Sequence, residues 1–169
     1  MPKIIENLPE KLAEEARRQV QLSGYDRLTI RSVAAGCGVG VGTVYNYYAS
    51  KDALVAAFML TDWKNALQVI AACAESASSP EPVLQVIHAQ LLGFYRLHEG
   101  VFRDRTAAAG FAGSFSRYHA LLRSQLAAPV RRFCREDFQA EFIAEALLTW
   151  TVAGKSFDEI YPLVIKIFE

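Results

Sequence analysis

One stretch of the sequence, residues 29–54, constrains the fold more than any other. It reads TIRSVAAGCGVGVGTVYNYYASKDAL and places four glycines within seven residues. Thr29 can cap a helix that begins at Ile30, since its hydroxyl can accept a hydrogen bond from an unpaired N–H group of the first turn. Gly36 and Gly38 are expected to end this helix, because glycine adopts the left-handed conformation at little steric cost.

A second short helix is predicted after the glycines, over residues 41–47. It is dense in side chains that suit DNA, namely Thr43, Tyr45, Asn46 and Tyr47. Helix, tight turn and helix is the arrangement that lets a second helix lie in the major groove of DNA. Ser50 is predicted to cap a third helix, with Lys51 in its first turn. Because a cation there opposes the helix dipole, we expect Lys51 to have an external anionic partner.

The run from Ala34 to Leu54, AAGCGVGVGTVYNYYASKDAL, closely resembles the DNA-binding signature of the tetracycline-repressor (TetR) family. In that family the first three helices bind DNA, the following helices build a pocket for a small-molecule effector, and the last two helices pair in a homodimer. The resemblance implies an all-α fold with an N-terminal helix-turn-helix module, residues 1–50. It also implies a C-terminal helical effector-binding and dimerisation domain, residues 51–169.

The same resemblance supplies candidates for contact with double-stranded DNA: Thr29, Val41, Gly42, Thr43, Tyr45, Asn46, Tyr47 and Lys51. Lys51 matches the lysine that contacts phosphate in the family, and Asn46 suits adenine because its amide offers a paired donor and acceptor. Two positions depart from the family pattern. Gly40 stands where a capping serine is usual, and Val41 stands where a polar residue is common, so the operator sequence is harder to predict.

Candidates for effector contact are aromatic or histidine residues on the segments that line the pocket in this family: Trp63, Phe94, Tyr95, His98, Phe111, Phe115, Tyr118 and His119. Few charges lie among these positions, so the expected effector is apolar or aromatic and of modest size. His98 and His119 could orient a ligand in an apolar cavity, and both could equally be exposed at helix ends. Aromatic residues at helical spacing usually belong to a core.

The rest of the chain is predicted to contain helices and turns only, with eight or nine helices in all. The first helix ends near Ser23 and buries a seam of Leu12, Ala16 and Val20, with Glu14, Glu15, Arg17 and Arg18 in solvent. Further helices are expected over residues 50–76, 81–98, 101–109, 114–135 and 137–152, with a last one near Ser156. The expected breaks are a linker over 76–82, a stop at Gly100, a bend at 110–113, and a kink or wide turn at Pro129. Asp137 is the expected cap of its helix, and Pro162 implies a turn or a break near the chain end.

Composition narrows the class of protein. An apolar content of 52% supports a substantial core, and no apolar run reaches transmembrane length, so we expect a cytoplasmic protein. Residues 1–51 carry seven Lys or Arg against five Asp or Glu, whereas residues 52–169 carry eleven against thirteen. The slight positive excess therefore lies on the half expected to bind DNA. The three cysteines lack metal-ligand spacing and are predicted to be free thiols, with no metal or cofactor.

The favoured function is that of a transcriptional repressor that a small-molecule effector releases from a palindromic operator. One alternative is a helical protein that binds small molecules and whose DNA module is vestigial, for which Gly40 and Val41 are the best support. Another is an enzyme that uses the glycine cluster to bind phosphate. No hydrophobic strand precedes that cluster and no Gly-Lys-Ser/Thr follows it. No nucleophile elbow is present either, so catalysis is not expected.

Overall fold

The structure, a computed structural model, describes residues 6–104 and 115–168, and for residues 115–117 it describes the backbone alone. Over these ranges the protein is all-α and contains no strand, which confirms the predicted fold class. The first six helices are α1 Leu8–Ser23, α2 Ile30–Gly36, α3 Val41–Tyr45, α4 Lys51–Ser76, α5 Pro80–Leu97 and α6 Glu99–Phe102. The remaining three are α7 Phe115–Ala127, α8 Asp137–Val152 and α9 Phe157–Val164, with 3-10 turns at Arg131–Phe133 and Ile165–Ile167. None of these helices combines the length and the apolar character needed to cross a membrane.

Several helix boundaries differ from the sequence predictions. Helix α3 ends at Tyr45, two residues early, and Glu136 rather than Asp137 is the N-cap of α8. Helix α5 begins at Pro80, because proline lacks only an N–H group that the first turn leaves unpaired. The expected linker over 76–82 is therefore reduced to the three residues that separate Ser76 from Pro80.

Glycine and proline also act differently from expectation in the second half of the chain. Gly100 does not stop a helix, since α5 already ends at Leu97 and Gly100 lies inside α6. Helix α7 ends at Ala127, before Pro129, as proline disfavours the helical conformation of the residue that precedes it. Pro162 lies within α9. Most of the helix predicted over 101–109, and the bend at 110–113, lie outside the described residues.

The described residues form two compact units. Unit 1 contains residues 6–62 and 98–104, and unit 2 contains residues 63–97 and 115–168. The chain leaves unit 1 within α4, after Asp62, and returns to it at His98. The predicted domains, residues 1–50 and 51–169, were a division by function, whereas the units are a division by packing. The domain prediction therefore stays a prediction.

Unit 1 has an apolar core to which α1, α2, α3, α4 and α6 contribute. The predicted seam of α1 is buried, with Leu12 and Ala16 fully inaccessible to solvent. Phe58 and Tyr25, each 2% exposed, are aromatic side chains buried in this core. The prediction that Arg17 lies in solvent is wrong, because its guanidinium pairs with the carboxylate of Asp62 inside the unit.

Unit 2 is built around α8, which packs against both α5 and α7. Ile143 and Leu147 of α8 are almost completely buried among apolar side chains of those helices. The buried His88 of α5 lies 3.0 Å from the carbonyl oxygen of Lys155, the residue that follows α8 and its glycine turn. This bond ties α5 to the connection between α8 and α9. The sequence analysis did not single out His88, because its backbone partner is distant in the chain.

Candidate DNA interface and effector-site residues

A tight turn joins α2 to α3 and gives the helix-turn-helix its geometry. The N–H group of Cys37 bonds to the carbonyl of Val33, and that of Val39 reaches back to Ala34 at 3.0 Å. Gly38 has a φ of +67°, in the left-handed region that only glycine adopts without strain. The sequence prediction that glycine ends α2 is confirmed.

Helix α3 has one buried side and one exposed side. Val44 is fully buried in the core of unit 1. The side chains of Tyr45 and Tyr47 are 54% and 50% exposed, and Asn46 between them is also exposed. Large aromatic side chains normally lie inside a protein, so the exposure of two tyrosines at and just after the end of α3 makes this surface a candidate for contact. Four of the predicted DNA contacts in α3 and just after it are therefore exposed and accessible to a partner: Gly42, Tyr45, Asn46 and Tyr47.

Thr29 holds the start of α2. Its hydroxyl oxygen accepts a 3.0 Å bond from the Ser32 N–H group, and the Ser32 hydroxyl accepts from the Thr29 N–H group at 3.2 Å. This reciprocal capping box confirms the predicted cap. Whether Thr29 also contacts DNA stays a prediction. Gly40, by contrast, supplies α3 with no side-chain cap, as its substitution for serine in the family pattern implies.

A polar network ties α1 to α2, and the sequence analysis missed it. Gln19 accepts a 2.6 Å bond from the hydroxyl of Ser32 and donates to the Ser32 carbonyl oxygen. Gln19 also donates to the carboxylate of Glu15, which Arg18 contacts with two nitrogens. The Arg18 hydrogen bonds lower the pKa of Glu15 to about 2. The network fixes the first helix of the helix-turn-helix against α1.

Gly36 permits the close approach of α2 to this network. A β-carbon at Gly36 would lie 2.3 Å from a carboxylate oxygen of Glu15. Any larger residue would therefore displace the carboxylate from its bonds to Arg18 and Gln19. Gly36 thus serves packing as well as the helix end, which the sequence pattern alone did not indicate.

Lys51 has an internal partner that the sequence analysis did not foresee. Its ammonium group donates a 2.9 Å bond to the carbonyl oxygen of Tyr25 and lies 3.9 Å from the centre of the Tyr25 ring. The Tyr25 hydroxyl donates to the carboxylate of Asp52, and burial raises the pKa of that hydroxyl, as does the carboxylate. These bonds hold the first turn of α4 against residue 25. The phosphate contact of Lys51 stays a prediction.

The predicted effector residues fall in different places. Trp63 and Phe94 meet in unit 2, with ring centres 5.4 Å apart, and the Trp63 indole donates to Gln125 at 2.7 Å. Tyr95 is half-buried in the same unit, whereas Tyr118 is 54% exposed. His119 lies 3.5 Å from Glu145 near the surface. Phe111 and the side chain of Phe115 lie outside what the structure describes.

His98 belongs to unit 1 rather than to the unit that holds the other described candidates. It is 2% exposed, and its Nε2 atom lies 3.0 Å from a carboxylate oxygen of Asp62. Of the two alternatives left open for this residue, exposure at a helix end is therefore wrong. Its contact with an effector stays a prediction.

A cavity of about 380 Å³ lies on unit 1, beside α1 and the end of α2. Its lining includes none of the predicted effector residues; it consists of Leu8, Lys11, Glu14, Glu15, Arg18, Gln21, Gly36 and Cys37. The Cys37 thiol lies 3.6 Å from the carbonyl oxygen of Lys11, and burial raises its pKa. A thiol with a raised pKa is less reactive, which favours a packing role for Cys37.

Comparisons with known proteins agree with this geometry. Residues 12–58, which include α2, α3 and the start of α4, match the model of the bacterial regulatory proteins of the tetR family. No curated protein sequence matches the chain. Solved structures do resemble it, beginning with a transcriptional regulator from Cytophaga hutchinsonii. That structure has a TM-score of 0.68 and 15% identity over 94% of this chain and 93% of its own.

Two further solved structures show what the fold can and cannot establish. The TetR family repressor AlkX from Dietzia sp., implicated in biodegradation of n-alkanes, has a TM-score of 0.64 and 13% identity, covering 94% of this chain and 98% of its own. The superantigen PfiT has a TM-score of 0.56 and 19% identity, covering 96% of each chain. Since a superantigen shares the architecture, the fold alone does not establish DNA binding.

The family assignment therefore rests on the segment that forms the helix-turn-helix. The matched residues fold into the capped α2, the glycine turn and the exposed α3 described above. The segment that matches the family model thus contains the exposed helix α3. Residues 12–58 therefore match the DNA-binding segment of the tetR family of bacterial regulatory proteins, and this match supports a DNA-binding transcriptional regulator.

Proposed function

We propose that this regulator is a repressor that binds a roughly palindromic operator as a homodimer and leaves it when a small-molecule effector binds. The observation that carries the proposal is the exposed end of α3 and the turn that follows it, where Tyr45, Asn46 and Tyr47 are accessible while Val44 anchors the helix in the core. A regulator of this kind acts in the cytoplasm, where its operator lies.

Within this proposal, Asn46 and Lys51 have different tasks. Asn46 is exposed at the end of α3, and its planar amide suits the edge of an adenine base. Lys51 carries a charge on a long flexible side chain, which suits a backbone phosphate. An ammonium group has three donors, so the bond to the Tyr25 carbonyl leaves capacity for a phosphate oxygen.

The proposed homodimer pairs the last two helices, α8 and α9. Four large apolar side chains on these helices are at least half exposed within the subunit: Phe138 at 70%, Phe142 at 54%, Trp150 at 50% and Leu163 at 69%. Exposed apolar surface of this kind is typical of a protein–protein interface. A symmetric dimer would bury the same surface on both subunits and would present two recognition helices to two half-sites.

Light scattering with matched variants tests the dimer. Wild-type protein should have the mass of a dimer at micromolar concentration, and Trp150→Glu should shift it to the monomer. Since Trp150 is half exposed in the subunit, the variant should retain its helical circular dichroism signal. Leu22→Glu changes an exposed apolar residue of α1 in the same way and should stay dimeric. A monomeric wild-type protein would contradict the proposed interface.

The proposed effector is apolar or aromatic, because Trp63, Phe94 and Tyr95 place buried or half-buried aromatic side chains in unit 2. An effector releases DNA only if it binds the state that cannot hold DNA better than the state that can. A thermal-shift screen of apolar and charged metabolites, followed by DNA release assays, tests this. Stabilisation by highly charged compounds alone would contradict the predicted effector class.

Selection from a pool of random duplexes tests DNA recognition and needs no defined operator sequence. The protein should enrich sequences that contain two inverted half-sites, with centres about one helical turn or a multiple of it apart. A variant with Tyr45, Asn46 and Tyr47 all changed to Ala provides the control and should enrich none. If wild-type protein at moderate salt enriches no sequence, operator binding is wrong and the vestigial alternative gains support.

A further inference from the structure

Three charged or titratable side chains meet inside unit 1, outside the predicted DNA interface. Asp62 of α4 lies between the other two, with one carboxylate oxygen 2.7 Å from the guanidinium of Arg17 and the other 3.0 Å from Nε2 of His98. The side chains are 8%, 22% and 2% exposed for Asp62, Arg17 and His98. Groups this buried carry a large desolvation cost when charged, so their arrangement is sensitive to any added charge.

The cluster occupies a special place in the chain. Asp62 is the last residue of unit 1 before the chain leaves it within α4, and His98 is the first residue after the chain returns. Their contact therefore joins the point where the chain leaves unit 1 to the point where it returns. Arg17 connects both to α1, the helix whose polar network holds α2 and so positions the helix-turn-helix.

We propose that the Arg17–Asp62–His98 cluster is an acid-sensitive clasp in the DNA-binding unit. With His98 neutral the clasp is closed and holds α1 and residues 98–104 against α4. Protonation of His98 favours an open form in which these segments separate from α4. His98 and Asp62 are then positioning residues, since they act on the DNA-binding helices through α1.

The surroundings of His98 determine the direction of the effect. Burial lowers the pKa of His98 below its ordinary value, and the Arg17 guanidinium lowers it further, while Asp62 opposes both. Phe58 of α4 stacks on the imidazole, with ring centres 5.7 Å apart, so an apolar ring rather than water covers this face of His98. The closed clasp thus favours neutral His98.

Other charged groups near the clasp lie mainly toward solvent. On α1, the Glu14 carboxylate is 3.4 Å from the Arg17 guanidinium and is 68% exposed. On the helix that follows His98, Glu99 pairs with Arg103 at 2.7 Å, also near the surface. These exposed groups are screened by water, so they modulate the titration of His98 less than Asp62 and Arg17 do.

Linkage gives the pH window. In an open form, His98 titrates near its ordinary value of 6.5, whereas in the closed form its pKa is lower. The closed form therefore has its full stability above pH 6.5 and loses stability as the pH falls below it, until His98 protonates in the closed form too. A single linked proton raises the opening equilibrium by up to about tenfold per pH unit in that window.

Hydrogen–deuterium exchange without DNA tests the clasp independently of operator binding. After correction for intrinsic exchange rates, peptides from α1 and from residues 98–104 should lose protection between pH 7.5 and 5.5, with a slope of up to about tenfold per unit. His98→Gln retains an amide donor for Asp62 but cannot titrate, so the protection of these peptides should no longer depend on pH in this variant. His119→Gln, at a half-buried position in unit 2, should keep the wild-type slope.

A second measurement covers the case in which His98→Gln does not fold. The chain has three histidines, so NMR titration of wild type, His88→Gln and His119→Gln assigns the His98 signal by elimination. The clasp requires a His98 pKa below 6.5 in the folded protein. A pKa at or above 6.5, or equal exchange slopes in wild type and His98→Gln, would overturn the proposal.

Discussion

Units 1 and 2 are stabilised in different ways. Unit 1 combines its apolar core with directional bonds that set the helices that bind DNA: Gln19 to Ser32, Lys51 to Tyr25, and Asp62 to Arg17 and His98. Unit 2 is dominated by apolar packing around α8, to which a few bonds of buried side chains are added, such as those of His88 to Lys155 and of Trp63 to Gln125. The position of α3 therefore depends on individual polar bonds, whereas the shape of unit 2 depends on how well apolar side chains fill its core.

The largest expected effect is the loss of the buried carboxylate in unit 1. Asp62→Ala leaves the Arg17 guanidinium without its buried partner, so the free energy of unfolding should fall by about 3–5 kcal/mol. Glu145→Ala removes a more exposed carboxylate of unit 2, near His119 and Arg123, and should cost less than about 1 kcal/mol. Urea denaturation of both variants measures the difference. Equal losses would contradict the distinction between the two units.

Unit 2 should respond to volume rather than to polarity. Leu147 is 1% exposed at the centre of its core, so Leu147→Ala should lower the free energy of unfolding by about 2–5 kcal/mol. Leu147→Met nearly conserves the side-chain volume and should cost less than about 1.5 kcal/mol. Denaturant midpoints of the two variants provide the measurement. A methionine variant as unstable as the alanine variant would show that shape, not volume, governs this core.

The smallest expected effect compares two capping boxes. Ser32→Ala removes the cap of α2 together with the bond to Gln19 and should cost about 1–2 kcal/mol. Ser156→Ala removes a capping box from α9 and should cost about 1 kcal/mol. Affinity for the selected duplex should fall in Ser32→Ala and stay unchanged in Ser156→Ala. A loss of affinity in both would mean that the network around Ser32 has no special role in DNA binding.

The sequence predicted those parts of the fold that depend on neighbouring residues. The cap at Thr29, the glycine turn at Gly38 and the start of the last helix near Ser156 involve partners within a few residues, so their patterns are visible in the chain. Helix ends were less accurate near Pro80, Gly100 and Pro129. At the two prolines the reason is local, since proline suits the first turn of α5 and disfavours continuation of α7.

Partners distant in the sequence could not be predicted. Arg17 was assigned to solvent because its neighbours on α1 are charged, yet it pairs with a residue 45 positions further along the chain. The internal bond of Lys51 to Tyr25 could not be predicted for the same reason. The family signature specifies the segment that contains the predicted DNA contacts, and four of them in α3 and just after it are exposed, but their contact with DNA stays a prediction. The predicted effector residues stay a prediction too, since aromatic residues at helical spacing serve equally well as core.

Titration of two variants against the selected duplex and a scrambled duplex tests the central claim, that α3 reads bases while Lys51 holds the backbone. Lys51→Ala should weaken binding to both duplexes about equally. It should also reduce the slope of log affinity against log salt concentration by about one unit. Asn46→Ala should keep this slope and should lose about 1–3 kcal/mol of binding free energy on the selected duplex alone. Lys64→Ala, an exposed lysine of α4 in unit 2, is the control and should change neither duplex. If neither Asn46→Ala nor Lys51→Ala changes DNA binding at any salt concentration, the assignment of α3 as the DNA-reading helix is wrong.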